Sequence, residues 1–220
     1  MIRWRSVLTR LVVRYGQHNP RKAAVSIDAL LDTGFIAIDV ETTGLDPHRD
    51  ALVAVAAIPF VAGEARPGLV TLVNPGRPIP ATATAIHGLS DADVEHAPTV
   101  GEVLPRFDAL SMNRVLVGHD VGFDLGILAA ARATLGLPAR SVIALDTRRL
   151  VRAVGPAMGD SRLEVVAARF GVTPAGRHTA DGDARMAGEI FHALLPALRA
   201  RGARTVADLV QLQRATPLYD

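Results

Sequence analysis

Apolar runs and the breaks between them lay out most of the chain. FIAIDVE (35–41), short and rich in isoleucine and valine, has the pattern of a buried strand. ALVAVAAIPFV (51–61) and LVTLV (69–73) read as two further strands separated by the turn-rich AGEARPG, so the three close runs predict an antiparallel meander. PGRPIPATA (75–83) is a proline-punctuated connection, and Ser90 followed by Asp93 has the spacing of a capping-box helix start. TVGEVLPRFDALSM (99–112) predicts a helix and VLVGHD (115–120) a fourth strand ending in polar residues. FDLGILAAARATLG (123–136) is helical and is stopped by Gly136 and Pro138. SVIALDT (141–147) gives a fifth strand, with a helix running from Thr147 to Val154. After a loop at 155–161, SRLEVVAARFG (161–171) reads as a helix closed by Gly171. The run from Thr179 to Arg201 is helical, with Pro196 expected to end or kink it, and 205–214 forms a last short helix.

A strand meander followed by strand–helix–strand makes an α/β domain with a mixed five-stranded sheet flanked by helices. We place that domain at 31–200, after a basic amphipathic helical extension (1–30) and before a C-terminal helix and tail (201–220). In the extension the first acid is Asp28, whereas Arg3, Arg5, Arg10, Arg14, Arg21 and Lys22 all precede it. Such a start can serve as an organellar transit peptide, but nothing in it resembles a cleavage site. Trp4, Leu8, Leu11 and Val12 share one helical face, which favours a docking helix. With no secretory leader and no apolar run of the roughly 18 residues a membrane span needs, the expected location is the cytoplasm.

Composition narrows the chemistry. The 220 residues are 49% hydrophobic and 21% charged, which excludes a disordered or collagen-like chain. Cysteine is absent, so disulfide scaffolds, thiolate zinc sites and cysteine nucleophiles are excluded together. A net charge of +2 is too balanced to announce a nucleic-acid binder, although the basic residues are almost all arginine, the better bidentate ligand for phosphate. A GC-rich genome writes the same bias.

Three segments can carry chemistry. In IDVETTGLD (38–46), Asp39 and Glu41 stand two apart on a strand and point to one face. Two carboxylates there repel each other unless a cation lies between them, and hard oxygen ligands suit Mg²⁺ or Mn²⁺. Taken alone, the pair equally suits a strand end entering solvent. In GHDVGFDLGIL (118–128), Asp124 opens a helix at the carboxyl edge of the fourth strand, where α/β proteins build sites, and where an acid also complements the helix dipole. In RHTADGDARMAGEIF (177–191), His178 and Asp183 converge best if the histidine sits on the loop before the helix, with Thr179 near its N-cap. A loop histidine beside a cation-binding carboxylate is well placed as a general base.

Taken together, the three segments resemble the exonuclease motifs of the DEDDh family of 3′–5′ exonucleases, the branch typified by the proofreading epsilon subunit of bacterial replicative DNA polymerase. The first motif stands as Asp39, Glu41, Thr42, Thr43, Gly44 and Leu45, the second as His119, Asp120, Phe123 and Asp124, and the third as His178, Ala180, Asp183 and Ala184. IPATATAIHGLSDADVEHAPTV resembles the family's IHG segment and places His87 at a substrate-contacting position. The likeness covers residues 34–195. It implies a ribonuclease H-like sheet and a two-metal phosphodiesterase, with Asp39, Glu41, Asp124 and Asp183 holding two Mg²⁺ or Mn²⁺ ions and His178 as the base. Thr42, Thr43, Gly44, Leu45, His87 and Phe123 would position the terminal nucleotide. The implied partner is nucleic acid with a free 3′ end, DNA in the first reading and RNA or oligoribonucleotides in the second. A non-catalytic nucleic-acid- or polymerase-binding module is the reading of another class. Two positions depart from the family: Asp120 stands where Asn is usual, and Thr82 where a glutamate precedes the IHG histidine. The tail QLQRATPLYD (211–220) begins like a sliding-clamp peptide but lacks its leucine–phenylalanine ending, so neither a clamp nor a polymerase partner can be assigned from it.

Overall fold

A computed structural model of the chain describes residues 25–155, 160–173 and 175–216. The expected N-terminal helix, part of the 155–161 loop and the end of the tail lie outside these residues. The elements are α1 (Ile27–Thr33), β1 (Phe35–Thr42), β2 (Leu52–Val61), β3 (Glu64–Ala65), β4 (Leu69–Leu72), α2 (Ala81–His87), α3 (Asp91–Val94), α4 (Val100–Ser111), β5 (Val115–Gly118), α5 (Gly122–Thr134), β6 (Ile143–Asp146), α6 (Thr147–Val154), α7 (Leu163–Arg169), α8 (Ala180–Ala200) and α9 (Val206–Ala215).

The strands form one mixed sheet in the order β3-β2-β1-β5-β6, with β4 also on β2. β2 runs antiparallel to β1 and β4, the expected meander, while β5 and β6 continue parallel to β1. The sixth strand is the addition to the expected five. It arises inside AGEARPG, where Ala62 and Gly63 both take positive φ (54° and 81°), the conformation of a tight hairpin turn, so that Val61 and Phe60 pair with Glu64 and Ala65.

Strand alternation sorts β1 between two layers. Ile36, Ile38 and Val40 face a core shared with Val103, Leu104 and Phe107 of α4 and Leu125, Ile127 and Leu128 of α5. Phe35 and Ala37 face the other core, shared with Ala184, Ile190, Phe191, Leu194 and Leu198 of α8. Phe35 stacks on Phe60 and meets Phe191 edge-on, with ring centroids 5.1 and 5.0 Å apart. A Cβ on Gly188 would fall 2.3 Å from the Phe60 ring, so glycine there lets α8 lie close over the sheet. Asp39 and Glu41 continue the parity of Phe35 and Ala37, so they emerge toward α8.

Three other features differ from expectation. α8 runs unbroken from Ala180 to Ala200 with Pro196 inside it. Leu194, Leu195 and Leu198 are all buried, and that packing outweighs the one backbone bond proline removes. The 75–83 connection turns helical at Ala81, and α2 is stopped by left-handed Gly88 (φ 76°). α1, N-capped by Ser26, buries Ile27 and Leu30 in the α8-side core together with Val206 and Leu209 of α9. Backbone bonds from Ile27 N–H to the Arg204 carbonyl and from Val206 N–H to the Val25 carbonyl tie these two segments together. The core therefore runs across the positions expected to bound the domain, 30/31 and 200/201.

Candidate metal and nucleotide site

The carboxyl ends of the parallel strands β1, β5 and β6 share one edge, and the acids collect there. β1 supplies Asp39 and Glu41. α8 brings Asp183 on its first turn, on the buried face that continues through Ala184 and Ala187. One carboxylate oxygen from each of the three lies within 4.8 Å of the others. Asp183 is buried and its Oδ1 has no hydrogen-bond partner, whereas Oδ2 pairs with the Arg177 guanidinium. Asp124 arrives from the opposite layer, on the first turn of α5, buried and outside that trio but close enough to act on Asp39.

The acids repel one another and resist ionisation. Burial first, and then Asp124, Asp183 and Glu41, push the Asp39 carboxyl well above its ordinary range, while Arg177 pulls it back. Glu41 is raised to about 7 by burial and by Asp183, again opposed by Arg177. Asp124 is raised mainly by burial. Clustered carboxylates, all hard oxygen donors, and one buried oxygen without a partner fit a divalent cation such as Mg²⁺ or Mn²⁺.

Left-handed backbone shapes the loop before α8. His178, immediately before the Thr179 cap of α8, has φ 60° and is exposed. Thr179 caps the helix by accepting from Gly182 N–H at 3.1 Å. Gly182 is essential to the approach: a Cβ there would sit 2.1 Å from the Gly176 carbonyl oxygen and 2.6 Å from that of Ala175. Gly182→Ala is expected to lift residues 175–178 off α8 and cost about 1–3 kcal/mol, read as a drop in the denaturant midpoint at unchanged slope. An unchanged midpoint would show that the loop yields freely.

The other flank is the Thr42–Asp50 loop. Thr42 Oγ1 donates to the Gly44 carbonyl at 2.6 Å, and Thr43 Oγ1 donates to Asp50 Oδ1 at 3.0 Å while accepting from Ala51 N–H. Asp50 Oδ2 accepts from Asp46 N–H, and a Cβ on Gly44 would collide with the Asp50 carboxylate at 2.6 Å. Leu45 is thereby held out in solvent, 69% exposed. His87 at the end of α2 is buried; its Nδ1 accepts from Leu89 N–H, which leaves the proton on Nε2 in the neutral ring. Burial lowers its pKa, and the Thr42 carbonyl lies near enough to oppose that without closing a hydrogen bond. Phe123 is partly buried against the α5-side core.

The second motif splits between site and scaffold. Asp124 acts on Asp39, and Asp120 acts in turn on Asp124. His119 is enclosed by Thr147 Oγ1 on Nδ1 (2.9 Å) and the Ser161 carbonyl on Nε2 (2.8 Å), and burial lowers its pKa. Asp120, at φ 61°, pairs with Arg148 at 3.0 Å, and its N–H donates to Asp146 Oδ1. The acid that departs from the family pattern thus comes with its own counter-charge. Asp146 was not singled out by the sequence. It is buried, caps α6 through Arg148 N–H, and its backbone N–H donates to Gln213 of α9, whose amide returns to the Ala144 carbonyl. Arg177 and Glu164 were missed too; the one available signal was an arginine beside a motif histidine.

An exonuclease family model matches residues 36–191, spanning all three motifs. A DNA polymerase III subunit epsilon-like protein of Rhodobacter capsulatus is 43% identical over 176 residues, which is 78% of this chain but only 25% of that protein, so the chain spans about a quarter of its relative's length. Among solved structures, Exonuclease X in complex with 5′-overhanging duplex DNA superposes with a TM-score of 0.64 at 23% identity, covering 81% of this chain and 99% of that one. Escherichia coli Exonuclease I in complex with a dT13 oligonucleotide gives 0.64 at 18% identity, over 77% of this chain and 42% of that one. Identities this low speak for the ribonuclease H-like fold alone. The match of the family model over most of the sequence speaks for descent, and the chain belongs to the exonuclease family.

Proposed function

We propose that this chain is a metal-dependent 3′–5′ exonuclease that removes nucleoside 5′-monophosphates from the 3′ end of single-stranded DNA. The observation that carries the reading is the trio Asp39, Glu41 and Asp183, with oxygens within 4.8 Å of one another and Asp183 Oδ1 buried without a partner. The epsilon-like relative and the DNA bound by the structural neighbours support DNA as substrate. Asp39, Glu41 and Asp183 would hold two Mg²⁺ or Mn²⁺ ions with Asp124 at their edge. Ions bound there supply Lewis-acid stabilisation of the charge that develops on the phosphodiester.

The remaining work falls to the chain's own groups. The fixed Thr42–Leu45 backbone and the exposed Leu45 side chain present a surface for the terminal nucleotide, and Phe123 and the His87 Nε2–H border it. A ring nitrogen of His178 takes the proton of the attacking water. The new bond is oxygen to phosphorus, the bond from phosphorus to the 3′ oxygen of the preceding nucleotide breaks, and that oxygen takes a proton from solvent to become the new 3′ hydroxyl. His178→Gln is expected to lower kcat by about 10²-fold with Mn²⁺ affinity unchanged in calorimetry; an unchanged kcat would remove it from the reaction.

The direct test uses a 5′-labelled DNA oligomer and its RNA twin, with Mg²⁺ or Mn²⁺ and with EDTA. The proposal expects a metal-dependent ladder shortening from the 3′ end, absent in Asp183→Asn and stronger on DNA. A stronger RNA ladder would reassign the substrate. Oligomer binding with no ladder under any metal would make the chain a binding module.

A further inference from the structure

Arg177 sits where a cation would. Its Nη1 contacts Asp183 Oδ2, its charge is felt at Asp39, at Glu41 and at His119, and its side chain is 27% exposed. Its Nη2 lies 3.2 Å from Glu164 Oε2 on α7, and that oxygen is buried and lacks a hydrogen bond. The guanidinium is therefore shared between Asp183 and Glu164, whose other oxygen, Oε1, lies 3.3 Å from Arg162 Nη1 while Oε2 stays incompletely satisfied.

Charge balance gives the two seats different meanings. Without metal, four carboxylates converge on the strand edge and Arg177 is the counter-charge in contact with one of them. With two divalent cations in place, the four acids are neutralised, and a guanidinium still resting on Asp183 would add repulsion to ions held by the same carboxylate. Glu164 then becomes its better partner, and a full pair there satisfies the orphan oxygen.

We propose that Arg177 is the site's resident cation, which yields Asp183 to an incoming divalent ion and retires onto Glu164, so that the Arg177–Glu164 pair sets how tightly the exonuclease holds metal. This rests on the reading that Asp39, Glu41 and Asp183 bind the ion. It makes Arg177 a positioning residue and Glu164 its counter-seat. The opposite assignment, a guanidinium that merely orients Asp183 for metal, predicts a loss of affinity when the arginine is removed.

Calorimetric titration of the full chain with Mn²⁺, without nucleic acid, separates these. Arg177→Gln is expected to bind Mn²⁺ about tenfold more tightly than the wild type. Glu164→Gln, which leaves the guanidinium no seat to retire to, is expected to bind severalfold more weakly, and that penalty should shrink in the Arg177→Gln background. Equal or weaker binding by Arg177→Gln overturns the proposal while leaving the metal site intact. If Arg177→Gln fails to fold, unchanged affinity in Glu164→Gln overturns it alone. A wild-type chain that takes up no Mn²⁺ at all removes both the exchange and the site beneath it.

Discussion

Asp39→Asn is expected to abolish nuclease activity, by about 10³-fold or more, and at the same time to make the metal-free protein more stable. The first half follows from the place of Asp39 in the trio: an amide oxygen is neutral and cannot offset the charge of a divalent ion as a carboxylate does. A loss of that size corresponds to roughly 4 kcal/mol of transition-state stabilisation. The second half follows from the upward shift of the same carboxyl. Burial, Asp124, Asp183 and Glu41 all oppose its ionisation, so whether ionised or held protonated the carboxyl is disfavoured relative to the unfolded chain at alkaline pH. An isosteric amide removes that strain, worth about 1–3 kcal/mol. Gel assays for the ladder and thermal unfolding in EDTA at pH 8 read the two halves. A residue placed only for architecture loses stability when altered, and a variant that unfolds more easily yet still degrades DNA would exclude Asp39 from the metal site.

The strand, the motif order and the strand-edge location of the acids were legible in the sequence because each has a local cause. FIAIDVE sits in the middle of the sheet, apolar enough to be buried in both layers, and the two-residue period places Asp39 and Glu41 on one face. Thr179 and Asp183 announce a helix start by composition. The parts that stayed hidden depend on contacts between distant segments. Residues 26–33 carry no long periodic pattern, and their helix is fixed by a bridge to Thr205 and by burial against α9. Pro196 argues locally for a break, but the leucines around it belong to a core the sequence does not display. The meaning of Asp120 also needed the fold, since Arg148 lies 28 positions away in sequence yet meets its carboxylate at 3.0 Å. Gln213 clamps Ala144 and Asp146 across nearly 70 residues, which no spacing rule anticipates.

Stability should fall with rising pH in EDTA, and manganese should remove only part of that fall. Four carboxyls have raised folded-state pKa values, Asp39 and Asp124 well above the ordinary range, Glu41 at about 7 against an ordinary 4.5, and Asp146 at about 6 against 3.8, and the last two mark the window. The folded chain binds both protons more tightly than the unfolded chain. Their stabilising contribution is therefore complete below pH 4 and is lost as pH climbs to about 7. Asp146, enclosed by the sheet end and Gln213, contributes roughly 3 kcal/mol at about 1.4 kcal/mol per unit. Glu41 is partly exposed, so solvent screening brings its share below the similar figure its shift suggests. A divalent ion on the trio favours ionised Glu41 and cancels its share. Asp146 instead faces Asp120 and the Arg148 and Arg149 side of the edge and keeps its proton preference. Denaturant unfolding from pH 4 to 8 should thus fall more steeply in EDTA than in saturating Mn²⁺, with Glu41→Gln flattening part of the metal-sensitive fall and Asp146→Asn part of the fall that remains in Mn²⁺. The amide at 146 still offers one oxygen to the Asp120 and Arg148 N–H groups, so the loop survives the change. Coincident curves with and without Mn²⁺ would mean that the ion does not meet Glu41, and a flat profile in EDTA would mean that burial at this strand edge is shallower than the packing around Asp146 requires.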